Sequence, residues 1–487
     1  MLKSASHDRA SDPLWIGIAA IAAITIYRVV ALGFSTAELF VDEAQYWQWG
    51  QELDWGYYSK PPLIGWVLRA VTELAHSDAT FWVRLPGSLF HAAAALMMLG
   101  AARRIMAPAA ANATAIAYAT LPAVAAGSLL VSTDSMLLPF FAAALWLWLE
   151  LTARRSALAA AALGLCLGLG MLAKYAAVYF LLGAGLGALL VPQSRIALRD
   201  AGIALAVFAL VIAPNVVWNL QNDLMTLSHT ADNVDWVRQP GVHLHVGKAA
   251  EFLLSQFGVM GPVFFGAYLW LAPRALRRAD WQPRWLVWMS APILLLVAAQ
   301  ALLSQAYANW AVTACLALLL LVVPVLWTRA RRLFWIALAL DLAVSLLIPF
   351  AATQATRWHA GDRLLMRRYV GQGAMSTRIL DEAQAQGVTA VVSGNRHLLA
   401  DLFHKAKGSG IAVYATPPQG RPPHFYAQRH PYPTGRTAPF LFATLSDTPP
   451  CPGPAPVAIW PPGPGIYAGQ TLRLYRRDHD CWGAHLQ

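Results

Sequence analysis

Long apolar runs separated by short polar segments occupy most of the chain up to about residue 350, out of 487 residues. A hydrocarbon core of about 30 Å needs roughly 20 apolar residues for each crossing helix. The pattern therefore predicts about eleven membrane-spanning helices, and only the tetrapeptide AKYA around Lys174 separates the fifth from the sixth. The expected spans are 14–34, 82–102, 110–131, 135–152, 156–173, 175–192, 201–218, 250–272, 285–304, 309–327 and 333–353.

Basic residues fall in alternate loops between these runs, which orients the chain in the membrane. Loops on the cytoplasmic side retain Lys and Arg. The basic loops, together with Lys3 and Arg9, are therefore expected inside. The loops 35–81, 132–134, 174, 219–249 and 305–308 are expected outside, with the chain after residue 353. The arginines that decide this are Arg103, Arg104, Arg154, Arg155, Arg195, Arg199, Arg274, Arg277, Arg278, Arg284, Arg329, Arg331 and Arg332.

The composition agrees with a polytopic membrane protein. Hydrophobic residues make up 57% of the chain and charged residues 13%, and the mean hydropathy is +0.47. These values lie well outside the range of soluble globular proteins. The net charge of +11 comes from the clusters that set the topology, so no nucleic-acid partner is expected.

The C-terminal part differs in pattern from the apolar runs. Its stretch from Met375 to Ala415 reads as helix, short β-branched strand, helix and strand, and Pro- and Gly-rich segments with terminal strands such as QTLRLYRR follow. We expect an all-α membrane bundle in residues 1–354, with the outward first loop 35–81, and a small soluble α/β domain in residues 355–487. Cys451 and Cys481 lie in this domain and are either a disulfide or two thiols.

The first outward loop contains the segment FVDEAQYWQWGQELDWGYYSKPPLIGW, residues 40–66. It predicts two short amphipathic helices at 43–53 and 62–75 that lie in the headgroup plane, where its tryptophans serve as anchors. Asp42 departs from that pattern, because a carboxylate at a membrane exit is partly desolvated. Lys60 precedes two prolines that stiffen the turn, and its ammonium suits a phosphate at the membrane surface.

Other charged residues are expected at the same outer boundary. Asp134 in the second outward loop is either a functional carboxylate or one of several possible helix caps. Arg28, Arg84 and Lys174 either bind an anion or extend to the lipid headgroups. Cations that face a lipid phosphate, with a carboxylate that faces a hydroxyl, are what transfer from a lipid phosphate to an alcohol requires.

Six blocks of the sequence resemble, in order, those of bacterial GT-C membrane glycosyltransferases related to protein O-mannosyltransferases. This class includes the lipid A aminoarabinose transferases and the lipopolysaccharide galacturonosyltransferases. The resemblance covers roughly residues 15–350. It implies a GT-C fold, a polyprenyl-phosphate sugar donor, inverting transfer, and an active site facing the periplasm or exterior at the inner membrane. The blocks are VDEAQYWQWGQELDWGYYSKPPLIGW, VSTDSMLLPFF, LGLGMLAKYAAVYFLLGAGL, APNVVWNLQND, FGVMGPVFFGAYLW and QAYANWAV.

By position, the resemblance implies that Asp42 is the catalytic aspartate, with Glu43 as its acidic neighbour. Lys60 matches the lysine that holds the donor phosphate, and Asp134 matches a second acidic position. The remaining assignments are donor-phosphate contacts and substrate-binding residues within the same outward segments. They are Arg84 and Lys174 for the phosphate, and Tyr57, Tyr58 and Asn309 for the substrate.

One departure concerns metal binding. Aminoarabinose transferases have a metal-binding glutamate before the Lys-Pro-Pro sequence, and here that position is Ser59. No metal site is therefore assigned. A divalent metal held by outward histidines is the alternative, although isolated loop histidines seldom bind one. These histidines are His76, His229, His243 and His245.

The acceptor is left open by the residues. Lipid A, lipopolysaccharide core, another glycan and a protein are all compatible with them, and membrane lipids surround the site in each case. Two other functions compete with transfer: a lipid-linked sugar transporter, and a non-catalytic assembly subunit. A transporter predicts charges throughout the bundle and broken helices in paired positions.

Overall fold

The computed structural model describes residues 13–234, 243–433, 435–436, 438–449, 451–478 and 481–482. Lys3 and Arg9 lie outside the described residues. The chain forms two compact units. The first comprises the described residues of Met1–Gly33, Lys60–Ile64 and Arg84–Phe350, and the second those of Phe34–Ser59, Gly65–Val83 and Ala351–Gln487.

Helices make up most of the described chain before residue 354. The two short helices predicted in the first outward loop form as α2 and α3. In chain order the helices are α1 Trp15–Gly33, α2 Val41–Gln51, α3 Leu63–Leu74, α4 Thr80–Ile105, α5 Pro108–Thr120, α6 Pro122–Gly127, α7 Thr133–Ala153, α8 Ala157–Ala173, α9 Val178–Leu190, α10 Leu198–Gln221, α11 Met225–Val234, α12 Val246–Val259, α13 Pro262–Ala275, α14 Trp281–Trp288, α15 Ala291–Leu303, α16 Ala314–Arg329 and α17 Arg331–Thr353.

Six stretches of the described residues are long and apolar enough to cross a membrane. They are α1, α4, α7, α10, α17 and Trp281–Leu303, which contains α14 and α15. A bent pair of helices raises this number to seven if it counts as one span. Three shorter apolar helices, Ala157–Ala173, Tyr175–Leu190 and Ala314–Arg329, lie where three further spans are expected. The protein is thus a multi-pass membrane protein, and the number of eleven spans stays a prediction.

Two of the expected spans are interrupted at glycine or proline. The run 250–272 predicts one helix, but the chain bends by 116° between α12 and α13. Gly261 at the break has φ +79°, and Pro262 has no N–H with which to continue α12. The run 110–131 divides into α5 and α6 at Leu121, whose ψ of 140° is the conformation that a following proline favours.

Small residues allow close helix packing inside the first unit. A Cβ atom on Gly164 of α8 would lie 2.3 Å from the carbonyl oxygen of Ala204 on α10. A Cβ on Gly168, one turn further, would lie 2.6 Å from Val211. Glycines at this spacing let two helix backbones approach, as in membrane helix pairs generally.

Arg28 lies inside the bundle rather than among the headgroups. Its side chain is buried, and its guanidinium donates to the carbonyl oxygen of Ala119 at 2.6 Å, to Ser345 Oγ at 2.8 Å and to Ser128 Oγ at 3.1 Å. These acceptors come from three separate parts of the chain. Arg28 therefore joins helices, and the alternative that it extends to the lipid headgroups is wrong, whereas an anion-binding role stays a prediction.

The second unit contains a five-stranded mixed sheet. The elements from Gln372 to Ala415 follow the predicted order of helix, strand, helix and strand. The order in the sheet is β4-β3-β5-β7-β6; β3 runs parallel to β4 and β5, and β7 runs antiparallel to β5 and β6. The elements are β1 His359–Ala360, β2 Arg363–Leu364, α18 Gln372–Ala385, β3 Ala390–Ser393, α19 Arg396–Ala406, β4 Ala412–Ala415, α20 Phe425–Arg429, β5 Phe440–Thr444, β6 Ala458–Trp460 and β7 Leu472–Arg477.

A disulfide joins Cys451 and Cys481 in this unit. Cys481 packs in an aromatic cluster with Phe440, Phe442 and Trp482. Of the two possibilities that the sequence leaves open, the paired state is therefore the one present.

Candidate active site

Asp42 lies in the first turn of α2, directly after the backbone leaves its extended conformation at Phe40. Two acidic residues in this turn suit the positive end of the helix dipole. Glu43 is buried, and its Oε2 accepts the Phe40 N–H at 2.9 Å, which closes the start of the helix. The Asp42 side chain is 45% exposed and is therefore the accessible carboxylate of the turn.

Arg396 of the second unit forms an ion pair with Asp42. Its Nη2 lies 2.5 Å from Asp42 Oδ1, and its Nε donates to Gln45 Oε1 at 2.9 Å. Arg396 is the first residue of α19, whose start is capped by Asn395 Oδ1, which accepts the N–H groups of His397 and Leu398. Neither Arg396 nor Gln45 was predicted from the sequence. The spacing of Gln45, one turn from Asp42, could have identified it; no local signal identifies Arg396, 354 positions away.

Tyr57 and Tyr58 are buried in the second unit. The Tyr57 ring stacks on Trp49 at 4.7 Å, and its hydroxyl donates to the Trp49 carbonyl at 2.8 Å. Burial raises the pKa of the Tyr57 phenol well above its usual range. The Tyr58 hydroxyl donates to the carbonyl of Pro422 at 3.0 Å. These contacts connect Tyr57 to α2 and Tyr58 to the segment that contains Pro422. A substrate-binding role for the two tyrosines stays a prediction.

Three predicted site residues meet in the first unit. Asp134 Oδ1 lies 2.6 Å from the Lys174 ammonium, and Asp134 Oδ2 accepts a hydrogen bond from Asn309 Nδ2 at 2.7 Å. Asp134 need not cap α7, because Ser132 does so by accepting the Ser135 N–H at 3.1 Å. The carboxylate is therefore available to bind Lys174 and Asn309, both of which lie in short connections between apolar helices.

A further polar pair adjoins Lys174 and was not identified from the sequence. The Tyr175 hydroxyl donates to Asn215 Oδ1 at 2.9 Å and accepts from Asn219 Nδ2 at 3.1 Å. Asn215 and Asn219 are one turn apart on α10, so they face the same side of that helix. The polar pair could have been identified from the sequence, because two asparagines at this spacing are unusual in an apolar helix.

The two remaining phosphate candidates belong to the first unit. Arg84 lies near the start of α4 and is 1% exposed. Lys60 is half-buried and precedes the prolines that lead into α3. Asp42 belongs to the second unit. The meeting of Asp42 with Lys60 at one site stays a prediction.

The described residues show how far His, Cys, Asp and Glu side chains cluster in a way that could bind a metal. Among them, no group of three or more His, Cys, Asp or Glu side chains is arranged to hold a metal ion. The side chains that do converge supply a carboxylate held by a guanidinium in one unit, and a carboxylate held by an ammonium and an amide in the other. These groups are suited to proton transfer and to neutralisation of anions.

The sequence is similar to known proteins along nearly its full length. A family model described as dolichyl-phosphate-mannose-protein mannosyltransferase matches residues 59–218. The lipid A galacturonosyltransferase RgtD of Rhizobium johnstonii is 41% identical over 474 residues, which cover 96% of this chain and 98% of that protein.

Solved structures share the fold at low sequence identity. The structure of ArnT from Cupriavidus metallidurans bound to undecaprenyl phosphate is similar with a TM-score of 0.63 and 16% identity, covering 94% of this chain and 98% of that one. The Archaeoglobus fulgidus oligosaccharyltransferase, tethered with an acceptor peptide, is similar with a TM-score of 0.52 and 12% identity, covering 83% and 64%. These likenesses establish a common architecture.

Proposed function

Because the chain belongs to the GT-C glycosyltransferases, in the family of the lipid A galacturonosyltransferases, we propose that it transfers a sugar from a polyprenyl phosphate to a hydroxyl of lipid A. The observation that carries this proposal is the 41% identity to a lipid A galacturonosyltransferase across 96% of the chain. The donor class is supported by the shared fold of ArnT, whose structure holds undecaprenyl phosphate.

In this proposal Asp42 is the general base. A phosphate is a good leaving group and needs neutralisation of charge, whereas the acceptor hydroxyl is a poor nucleophile and needs a base. Asp42 is accessible and held in place by Arg396, so it can accept the proton as the hydroxyl attacks the anomeric carbon. The bond from that carbon to the phosphate oxygen breaks in the same step, with inversion of configuration.

The departing polyprenyl phosphate is assigned to Lys60, aided by Arg84. Lys174 is already paired with Asp134, so its ammonium is not an additional full charge for the phosphate. We propose that the contacts among Asp134, Lys174 and Asn309 hold together the helix connections that contain Lys174 and Asn309, next to the donor. Asp134 would then act by positioning Lys174.

The proposed location is the inner membrane, with about eleven spans and the site on the outward side. Residues 34–59, 65–83 and 351–487 belong to one compact unit, so this assignment places them all in the outer compartment. The alternation of basic loops supports that orientation. The sugar is proposed to be a hexuronic acid, after the galacturonosyltransferase relative.

The test is transfer by the purified full-length protein in lipid vesicles. A polyprenyl-phosphate uronate and lipid A are supplied, and both polyprenyl phosphate release and the mass of lipid A are measured. Asp42→Asn keeps the side-chain shape and should lower the rate by roughly 10²–10⁴-fold, the usual contribution of a general base. Asp478→Asn, at an exposed acid paired with Arg476, is the matched control. Release at the wild-type rate by Asp42→Asn would remove Asp42 from the chemistry.

A further inference from the structure

The surroundings of Asp42 contain more positive charge than this carboxylate requires. Arg396 uses Nε for Gln45 and Nη2 for Asp42, which leaves several of the five guanidinium N–H donors. Within the described residues, Nη1 of Arg396 makes no hydrogen bond. The Arg396 side chain is 34% exposed, so these donors can be reached from solvent.

A second guanidinium lies close to the same turn. Arg368 is exposed, and its guanidinium carbon lies 5.1 Å from the ring centroid of Phe40, two residues before Asp42. The other carboxylate of the turn, Glu43, is buried and binds the Phe40 N–H. The region therefore holds two guanidinium groups and the accessible carboxylate of Asp42, while the half-buried Glu38 accepts the Gln372 N–H.

His397, next to Arg396 on α19, is affected by the same charged groups. Partial burial lowers its pKa, and the charge of Arg396 lowers it further. Asp42 acts in the opposite direction and Arg368 in the same direction as Arg396, and the net result is a lowered pKa. Burial is the largest cause of this shift, and the two guanidinium charges add to it.

Stability alone does not account for the pair between Asp42 and Arg396. Ion pairs exposed to this degree typically contribute about 0–1 kcal/mol. A guanidinium also draws electron density from the carboxylate and makes it a poorer base. Its planar fork, however, matches a carboxylate or a phosphate, which it can bind through two parallel hydrogen bonds.

We propose that Arg396 and Arg368 form an anion-binding subsite beside Asp42, which takes an anionic group of the substrate next to the reacting hydroxyl. The group is either the carboxylate of an acidic sugar on the donor or a phosphate of the acceptor. This inference rests on the proposed function, because Asp42 is the base there. Arg396 then selects substrates that carry this anionic group. Its bond to Asp42 is the one that it makes when no substrate is bound.

The experiment compares four substrate pairs in the vesicle assay. The donor carries either a uronate or the same sugar with a neutral hydroxymethyl group, and lipid A is either phosphorylated or dephosphorylated. The variants are Arg396→Gln, Arg368→Gln and Arg396→Lys, which keeps the charge but not the fork. Arg378→Gln is the matched control, since Arg378 also lies over an aromatic ring, that of Trp460, at 4.1 Å.

Arg396→Gln should lower kcat/KM for the charged substrate by about 10–100-fold more than for its uncharged counterpart. Arg368→Gln should have a smaller effect of the same kind, Arg396→Lys should recover part of the preference, and Arg378→Gln should change nothing. A preference lost in the donor arm assigns the subsite to the sugar carboxylate. A preference lost in the acceptor arm assigns it to the lipid phosphate.

Two other results would overturn the inference. If Arg396→Gln slows all four pairs equally, Arg396 only positions Asp42. If neither variant changes the preference, the guanidinium groups do not meet the substrate. Should Arg396→Gln fail to accumulate, Arg396→Lys and Arg368→Gln give the same comparison. A wild-type protein that transfers neither sugar to either acceptor would instead refute the proposed function, and the two failures are thus distinct.

Discussion

At the scale of single residues, the sequence identified side chains but not their partners. Asp134, Lys174 and Asn309 were each selected from outward connections, and the structure joins them although 40 and 175 positions separate Asp134 from the other two. The three residues can meet because connections on one side of a helix bundle lie in one layer, while their roles stay predictions. Arg396 was missed because a pair formed across 354 positions leaves no pattern near either residue.

Arg28 allows a test of how a buried cation contributes to the bundle. Arg28→Ala removes three hydrogen bonds and leaves a cavity, so it should lower the free energy of unfolding by about 2–4 kcal/mol. Arg28→Met fills most of the volume and avoids burying a charge, so it should recover part of that loss. Thermal unfolding of the detergent-solubilised protein measures both.

The control for Arg28 is another arginine on a membrane helix. Arg103 lies exposed in the last turn of α4, and Arg103→Ala should leave the unfolding temperature nearly unchanged. Equal unfolding temperatures for Arg28→Ala and Arg103→Ala would show that the bonds of Arg28 carry no net stability.

At the scale of helices and strands, the local rules worked best where an element begins or ends at a strong signal. Gly261 and Pro262 are such a signal, yet the run 250–272 was read as one span because the mean hydropathy of a window does not register a single break. A Cβ atom at Gly261 would lie 2.3 Å from Asp341 Oδ2 on α17, so tertiary packing also selects glycine there. Among the described residues this is one bent pair, whereas a transporter built from repeats predicts breaks in matched positions.

The cap of α20 predicts a pH dependence of stability. His424 Nδ1 accepts the Ala427 N–H at 3.2 Å, which only an unprotonated nitrogen can do. Burial lowers the pKa of His424 below its usual 6.5. Its contribution is therefore complete above pH 6.5 and decreases as the pH falls below that value, because the unfolded state then binds the proton more readily.

His424→Asn separates the cap from the titration, since asparagine accepts the same bond without binding a proton. Between pH of about 7.5 and about 5.5, the wild-type protein should lose about 1 kcal/mol more stability than His424→Asn, the usual value of a helix cap. His359→Asn, at an exposed histidine, is the control and should follow the wild type. Parallel pH curves for the wild type and His424→Asn would contradict this role of the cap. Thermal unfolding across this pH range provides the measurement.

At the scale of the whole molecule, hydropathy separated membrane from non-membrane segments but did not show which non-membrane segments belong together. The second unit combines two parts of the first outward loop with the chain after residue 350. Contacts between distant residues assemble it: Asp78 accepts from Trp47 Nε1 at 2.8 Å and lies 2.6 Å from the Lys407 ammonium, and Glu38 accepts the Gln372 N–H at 2.7 Å. Such contacts form only in the folded chain, and no periodic pattern in the local sequence predicts them.

The disulfide makes the orientation of this unit testable in cells. The basic loops predict that residues after 353 lie outside, in an oxidising compartment, where Cys451 and Cys481 can remain paired. In a variant with Cys166→Ala and Cys315→Ala, a membrane-impermeant thiol reagent should label spheroplasts only after mild reduction. Arg155→Cys, in the connection between α7 and α8, should react only after lysis, because its loop is expected inside.

Reduction should also destabilise the second unit, because the bridge closes a loop of 30 residues, for which chain entropy predicts about 3–4 kcal/mol.

Labelling without a reductant would mean that the two thiols are free in the cell. Labelling only after both reduction and lysis would place the second unit in the cytoplasm. That result would put Asp42 on the wrong side of the membrane for an acceptor in the outer compartment, and the orientation of the whole enzyme would have to be reversed.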